Sequence, residues 1–217
     1  MPISRQTGAK RRRWERRKAS RPEEIVAAAL ELFVERGFSA TRLDEVARRA
    51  GVSKGTLYLY FENKEALFRA VLLNVALPIL EQAEQRVADH EGSARELVQR
   101  LVLDWWGMIG ETRISGIPKL MVAEASNFPE LARFFVDNVV RRARGIFTRV
   151  IERGIAAGEF RPCNARYAAR VLMAPMVFAA IWQHSLSPFD ADTYDVGDYL
   201  DLHLDVFVRG LSVARLD

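Results

Sequence analysis

Residues 41–64 read TRLDEVARRAGVSKGTLYLYFENK, and this stretch decides the fold. Leu43, Val46, Ala47 and Ala50 recur at spacings of three and four, so they form one apolar side of a short helix. Thr41-Arg42-Leu43-Asp44 ahead of it fits a capping box, with Thr41 as the cap and Asp44 reaching back. Gly51 follows, a residue that takes positive φ at no steric cost and suits a tight turn. Ser53 then caps a second short helix carrying Lys54, Gly55, Thr56, Tyr58 and Tyr60, while Val52, Leu57 and Phe61 continue the core. Asn63 is placed to cap a long helix from Lys64 that carries Leu67, Phe68, Val71, Leu72 and Val75, with a kink expected at Pro78.

Such a pair of helices around a glycine turn is a helix–turn–helix, in which the second helix enters the DNA major groove. The residue types fit that task. Lys54 can neutralise a phosphate or reach a guanine edge, and Gly55 lets the helix start approach closely. Thr56 offers a hydroxyl or a methyl to a base, Tyr58 and Tyr60 offer phenols to phosphates, and Lys64 adds a cation at a helix N-terminus.

Working outward, Ile25, Ala29, Leu32 and Phe33 give a preceding helix one apolar face. The expected start is Ser20 as N-cap with Pro22 in the first turn, and the expected stop is Gly37, with Phe38 folding back. Residues 1–20 hold eight Lys/Arg within 1–18 and almost no apolar side chain except Trp14, which predicts a mobile basic tail. An Arg-rich arm of this kind can enter the minor groove and raise affinity without base specificity. The rest of the chain reads as helices near 93–112, 117–126, 129–157, 164–186 and 195–214, with a bend at Pro175 and no strand alternation. The expected class is therefore all-α. The expected divisions are a tail over 1–20, a DNA-binding domain over 21–66 and a helical effector-binding and dimerisation domain over 67–217.

Charge and composition narrow the function classes. Residues 1–64 carry 15 Lys/Arg against 8 Asp/Glu, and residues 65–217 carry 17 against 20. A basic first third on a mildly acidic remainder is the pattern of a nucleic-acid module joined to a different kind of domain. No run of 18 uncharged apolar residues exists and no apolar segment follows the basic N-terminus, so neither a membrane span nor a secretory signal is expected and a cytoplasmic place is. The single cysteine, Cys163, excludes an intrachain disulfide and a cysteine metal cluster. The three histidines lie far apart in sequence and no Ser-His-Asp, metal-ligand or glycine-rich phosphate pattern occurs, so no enzyme, cofactor or metal is expected. The series Asp190, Asp192, Asp195, Asp198, Asp201, Asp205 lacks the calcium-loop glycine and terminal glutamate, and reads as a solvated helix face.

At this point the chain resembles the TetR family of transcriptional regulators. The resemblance rests on ALELFVERGFSATRLDEVARRAGVSKGTLYLYFENKEALFRAVL, residues 29–72, and is strongest over 21–71. It implies that Arg42 and Asp44 touch DNA, that Lys54, Gly55, Thr56 and Tyr58 face bases and phosphates, and that Tyr60 and Lys64 hold the backbone. Leu59 departs from the family pattern, which often has an aromatic or polar residue there.

The resemblance also implies a helical C-terminal domain that binds an effector and pairs through its last two long helices, residues 164–186 and 195–214, with the same helices of a second subunit. Ala168, Val171, Leu172, Met176, Ala179 and Ala180 form one expected face, and Leu200, Leu204, Phe207, Val208 and Leu211 the other. Two-fold symmetry would set the reading helices roughly 34 Å apart, one turn of DNA. Trp105, Trp106, Met108, Met121, Phe135, Met173, Phe178 and Trp182 are the expected lining of a pocket for a small apolar or amphipathic effector. Glu111, Glu124 and His184 are read as surface or structural residues. The expected function is a ligand-released repressor binding operator DNA as a homodimer. The alternative is an effector-independent architectural DNA binder with weak sequence preference.

Overall fold

The computed structural model describes residues 6–192 and 194–213, with the side chains of 6–20 outside that description. Among the described residues ten α-helices follow in order: α1 (Gln6–Arg36), α2 (Leu43–Arg49), α3 (Lys54–Tyr60), α4 (Lys64–Asp89), α5 (Ala94–Trp105), α6 (Gly116–Glu124), α7 (Pro129–Phe135), α8 (Arg141–Ala156), α9 (Ala165–Gln183) and α10 (Val196–Leu211). Single π-helical turns, Trp106–Gly110 and Val136–Val140, continue α5 and α7. Among the described residues the only β pairing is an isolated bridge between Phe160 and Ser212. The fold is all-α, as the periodicity predicts.

The chain divides into two compact units, Met1–Asn74 and Val75–Asp217, with the boundary inside α4. In the first, α1, α2, α3 and the start of α4 close around three phenyl rings. Phe33 and Phe38 lie 5.5 Å apart, Phe33 and Phe68 5.2 Å, and Phe38 and Phe68 5.3 Å, the last two pairs edge to face. Ile25, Ala29, Leu32, Val46, Ala47, Leu57, Leu67, Val71 and Leu72 complete this core. An 18-residue window of α4 reaches a mean hydropathy of 1.4. Of that window 28% is buried: Leu67, Phe68, Val71 and Leu72 lie in the core of the first unit and Leu80 in that of the second, while Leu73, Val75, Leu77 and Ile79 are half-buried.

Two local expectations are corrected here. The first helix does not begin at Ser20; α1 runs unbroken from Gln6 through Pro22. The backbone of 6–20 is therefore helical rather than an irregular tail, while Arg5 and the basic side chains up to Lys18 lie outside the described residues. Nor does Thr41 form a capping box. Arg42 is the N-cap of α2 and caps nothing with its side chain. Thr41 is instead buried, and its hydroxyl donates to the Gly37 carbonyl at 2.7 Å, with the Leu32 carbonyl 3.1 Å away. A buried hydroxyl needs an acceptor, and the end of α1 offers carbonyls that no helical amide meets.

In the second unit, α5, α8, α9 and α10 share one core built on Leu97, Leu101, Val150, Ile151, Leu172, Met176, Leu204 and Val208. Its helix starts are locally encoded. Ser93 and Glu96 form a full capping box on α5, Asn164 accepts from the Tyr167 amide at 3.1 Å on α9, and Asp195 from the Asp198 amide at 3.0 Å on α10. Gly154 of α8 leaves room for Phe160, whose ring would sit 2.2 Å from any Cβ there. The helices pass through Pro78 and Pro175.

The faces of α9 and α10 differ from expectation. Leu172, Met176, Ala179, Ala180, Leu200, Leu204, Phe207, Val208 and Leu211 are all buried within the chain's own core. His203 Nε2 joins the two helices at the Leu172 carbonyl, 2.8 Å away. The apolar residues left outside form adjacent stripes: Tyr167, Val171 and Phe178 on α9, and Leu202, Val206 and Val213 beside α10's acidic residues. Of the expected set only Val171 lies on the outer stripe. Both helices are apolar over more than one side, and periodicity alone does not say which side the monomer uses.

Replacing Phe68 with alanine removes the ring shared by both edge-to-face pairs. The expected loss is about 3–5 kcal/mol in chemical denaturation, read as a shift in the midpoint of the unfolding curve.

Candidate nucleic-acid interface and effector cavity

The helix–turn–helix is assembled from short pieces. Gly51 sits at φ +66°, the left-handed turn foreseen for it. Ser53 Oγ accepts from the Thr56 amide at 3.1 Å and lies 2.8 Å from Thr56 Oγ1, so the Thr56 hydroxyl belongs partly to the cap. Leu57 is fully buried and pins α3 to the core. Lys54, Gly55, Tyr58 and Leu59 then fall together on the outer side. Nothing but Ser53 Oγ, at 3.9 Å, would meet a Cβ on Gly55.

Ion pairs set α2 in place. Arg49 reaches Glu31 at 2.9 Å and Glu35 at 3.2 Å on α1, and Arg36 reaches Glu45 at 2.7 Å. Lys54 Nζ meets Asp44 Oδ1 at 2.8 Å, joining the starts of α3 and α2. The hydrogen bond from Lys54 holds the Asp44 carboxyl below the usual range, and the same contact raises the Lys54 ammonium. Lys54 Nζ also stands 6.0 Å from the Tyr58 ring centre. Asp44 thus orients the lysine on the exposed face. Arg42 is exposed beside this pair, and Tyr60 is half-buried at the end of α3.

Lys64 is placed otherwise than expected. Its ammonium turns inward, donating to the carbonyls of Phe38 at 2.8 Å, Ser39 at 3.1 Å and Thr41 at 3.2 Å. It also lies 4.6 Å from the Phe38 ring centre. An ammonium has three donors, and three carbonyls of the α1–α2 turn meet it. In this conformation the side chain holds that turn rather than presenting a charge outward. Asn63 caps α4 as foreseen, accepting from the Ala66 amide at 2.8 Å.

In the second unit a small apolar cavity, about 30 Å³, lies between α4, α5 with its π turn, and α8. Of the eight expected lining residues, Trp105 and Met108 reach it. Trp106 is buried in the core, with its ring packed over Gly110. Met121 is buried on α6, Met173 packs on the common core, and Phe135 ends α7 half-buried. Phe178 is 56% exposed on α9 and stacks against Trp182, with ring centres 5.8 Å apart. The remaining wall was not foreseen: Leu80, Ala83, Leu101, Ile146 and Phe147 among others. Arg86 and Asp104 stand at its edge as an ion pair of 2.8 Å, and Asp104 Oδ2 is buried without an aligned hydrogen bond among the described residues. Charged residues interrupting the apolar faces of α4 and α5 were the available signal. His184 is a structural residue, as read: its Nε2 lies 2.6 Å from Ser115 Oγ, and Lys119 donates to its carbonyl. Burial and the nearby Lys119 lower its pKa.

Replacing Lys64 with methionine keeps the apolar stem and removes the ammonium. Three carbonyls then lose a charged donor, so stability should fall by about 1–3 kcal/mol, measured by urea denaturation, while lysine-to-arginine exchange should recover part of it.

Comparison with known proteins agrees with this geometry. The description "Bacterial regulatory proteins, tetR family" matches residues 25–71, and "Tetracyclin repressor-like, C-terminal domain" matches residues 87–196. The HTH-type transcriptional regulator YhgD of Bacillus subtilis is 27% identical over 197 residues, covering 87% of this chain and 95% of that protein. The HTH-type transcriptional repressor KstR2 of Mycolicibacterium smegmatis is 29% identical over 145 residues, 66% of this chain and 69% of its own. Among solved structures, the transcriptional regulator FadR from Bacillus subtilis in complex with stearoyl-CoA superposes with a TM-score of 0.69 at 20% identity, over 87% of this chain and 98% of that one. With both halves matched in order and the reading helix built as described, the chain belongs to the TetR family of bacterial transcriptional regulators.

Proposed function

We propose that this protein is a ligand-responsive repressor that binds operator DNA as a homodimer and leaves it when a small apolar or amphipathic effector binds. The observation that carries the DNA reading is the outer side of α3. Lys54, Gly55 and Tyr58 are presented together around a buried Leu57, on a helix capped and braced against α1 and α2. Lys54, Tyr58, Tyr60 and Arg42 serve phosphates and base edges, Thr56 serves a base, and Asp44 is the partner that aims Lys54. Gly55 keeps the approach surface low.

Dimerisation is supported by the outer stripes of α9 and α10. Tyr167, Val171, Phe178, Leu202 and Val206 stay more than half exposed in one chain, an apolar surface that a second copy would cover. Arg166 and Arg170 flank the first stripe and Asp201 and Asp205 the second, charges of opposite sign that an isologous interface can pair.

The effector reading rests on the cavity. At about 30 Å³ it has room for roughly one water, so an apolar ligand must open it. Two of its walls adjoin π-helical turns, Trp106–Gly110 after α5 and Val136–Val140 before α8. Such turns interrupt the regular ladder and can take up a shift in register. Arg86 and Asp104 at the edge would meet a polar head while Leu101, Ile146 and Phe147 meet an apolar chain. The named ligand of the FadR structure, stearoyl-CoA, has this amphipathic form. Release requires that the effector favour the conformation with lower DNA affinity. The helix common to both units, α4, is the connection through which that preference would act.

The test is selection of bound DNA from a random pool. An inverted repeat should emerge, and Tyr58→Ala should weaken its binding at least tenfold with dimerisation unchanged. Recovery of sequences without common features would reject the repressor and favour an architectural DNA binder. For the effector, long-chain acyl-CoA and the free fatty acid are titrated against the protein–operator complex. Wild type should release DNA, whereas Met108→Trp, which fills the cavity, should keep operator affinity and ignore the ligand. Equal release from both proteins would place the effector elsewhere.

A further inference from the structure

Leu59 is 84% exposed, the most exposed large apolar side chain among the described residues of the first unit. It lies in the last turn of α3, one turn after Gly55 and beside Tyr58. Helical side chains lean toward the N-terminus of their helix, so the Leu59 isobutyl group extends over the surface that Gly55 leaves bare. Among the described residues nothing covers it. The same surface carries Lys54, aimed by Asp44, and the Tyr58 phenol. A leucine offers neither donor nor acceptor, so it cannot serve a phosphate. It adds nothing to the core, which Leu57 serves from the opposite side.

We propose that Leu59 is a specificity-determining residue that reads a thymine by its C5 methyl group. The inference rests on the reading of α3 as the helix that enters the major groove. In that groove each base pair displays a pattern of donors and acceptors, and the thymine methyl is the apolar group among them. An exposed leucine on the reading surface gains by removing that methyl from water. Against cytosine it would cover an amino group without replacing its hydrogen bond to water, which is unfavourable. Leu59 therefore selects T·A over C·G at one position of each half-site, next to the positions that Lys54 and Tyr58 hold.

The experiment uses the full chain and the operator obtained by selection. Each thymine is replaced in turn by deoxyuridine, symmetrically in both half-sites, which removes the methyl and leaves the pairing edge intact. Wild-type affinity, measured by fluorescence anisotropy at fixed salt, should fall about fourfold per methyl, and about fifteenfold for the symmetric pair, at one thymine position. Leu59→Ala should bind the thymine operator more weakly and show no further loss with deoxyuridine at that position. Cytosine there should weaken wild type, and 5-methylcytosine should recover part of the loss. The helical circular dichroism of Leu59→Ala should match wild type, since the residue is exposed. Deoxyuridine sensitivity retained in full by Leu59→Ala, or absent at every thymine in wild type, overturns the inference while leaving the DNA reader intact. Failure of selection to yield any preferred sequence overturns the reader itself, and the inference with it.

Discussion

Two helices of seven residues make up the helix–turn–helix, and helices that short do not persist alone in water. Everything around them answers that constraint. Leu57 and Val46 are fully buried and anchor one side of each helix. Arg49 ties α2 to Glu31 and Glu35 of α1, the Lys54–Asp44 pair ties α3 to α2, and Ser53 satisfies the Thr56 amide in the first turn of α3. Lys64 closes the frame from the start of α4 by gathering the carbonyls of Phe38, Ser39 and Thr41. The outer side of α3, proposed above to read DNA, is therefore held from behind, and its residues carry little of the packing.

The second unit answers a different constraint. Helices α9 and α10 must serve the core of their own chain and still leave an apolar stripe outside. They do so because small and large apolar residues surround both helices. Ala169, Leu172, Met176 and Ala179 face inward, while Tyr167, Val171 and Phe178 face out. The cavity between α4, α5 and α8 is narrow because Leu80, Ile146 and Phe147 already occupy most of the space. The π turns beside it are where this packing departs from a regular helix.

Much of the DNA-reading unit was legible before the structure. Gly51, Ser53 and Asn63 act through hydrogen bonds or dihedral angles within three residues of themselves, and each does what its sequence position suggests. Thr41 and Ser20 were misread, and the Lys64 ammonium lies elsewhere than its position suggests, for one shared reason. Their local signals, a capping box, a cation at a helix start and a serine before a proline, each have a competitor. For Thr41 and Lys64 the competitor is the set of carbonyls at the end of α1 and in the α1–α2 turn, brought near by the fold. For Ser20 it is the simple continuation of α1 through Pro22.

The sequence by itself determined the helical class, the position of the helix–turn–helix, the caps of α3 and α4, and the basic character of the first third. These depend on periodicity, on residue type at chain ends of helices and on summed charge, all of which are local or additive. Only the tertiary structure decided which side of α9 and α10 is core, which of eight large apolar residues border the cavity, where the Lys64 ammonium goes, and that Leu59 stands exposed. Those outcomes turn on which surfaces meet across the chain. An amphipathic pattern records that a face wants burial, and packing alone settles what buries it.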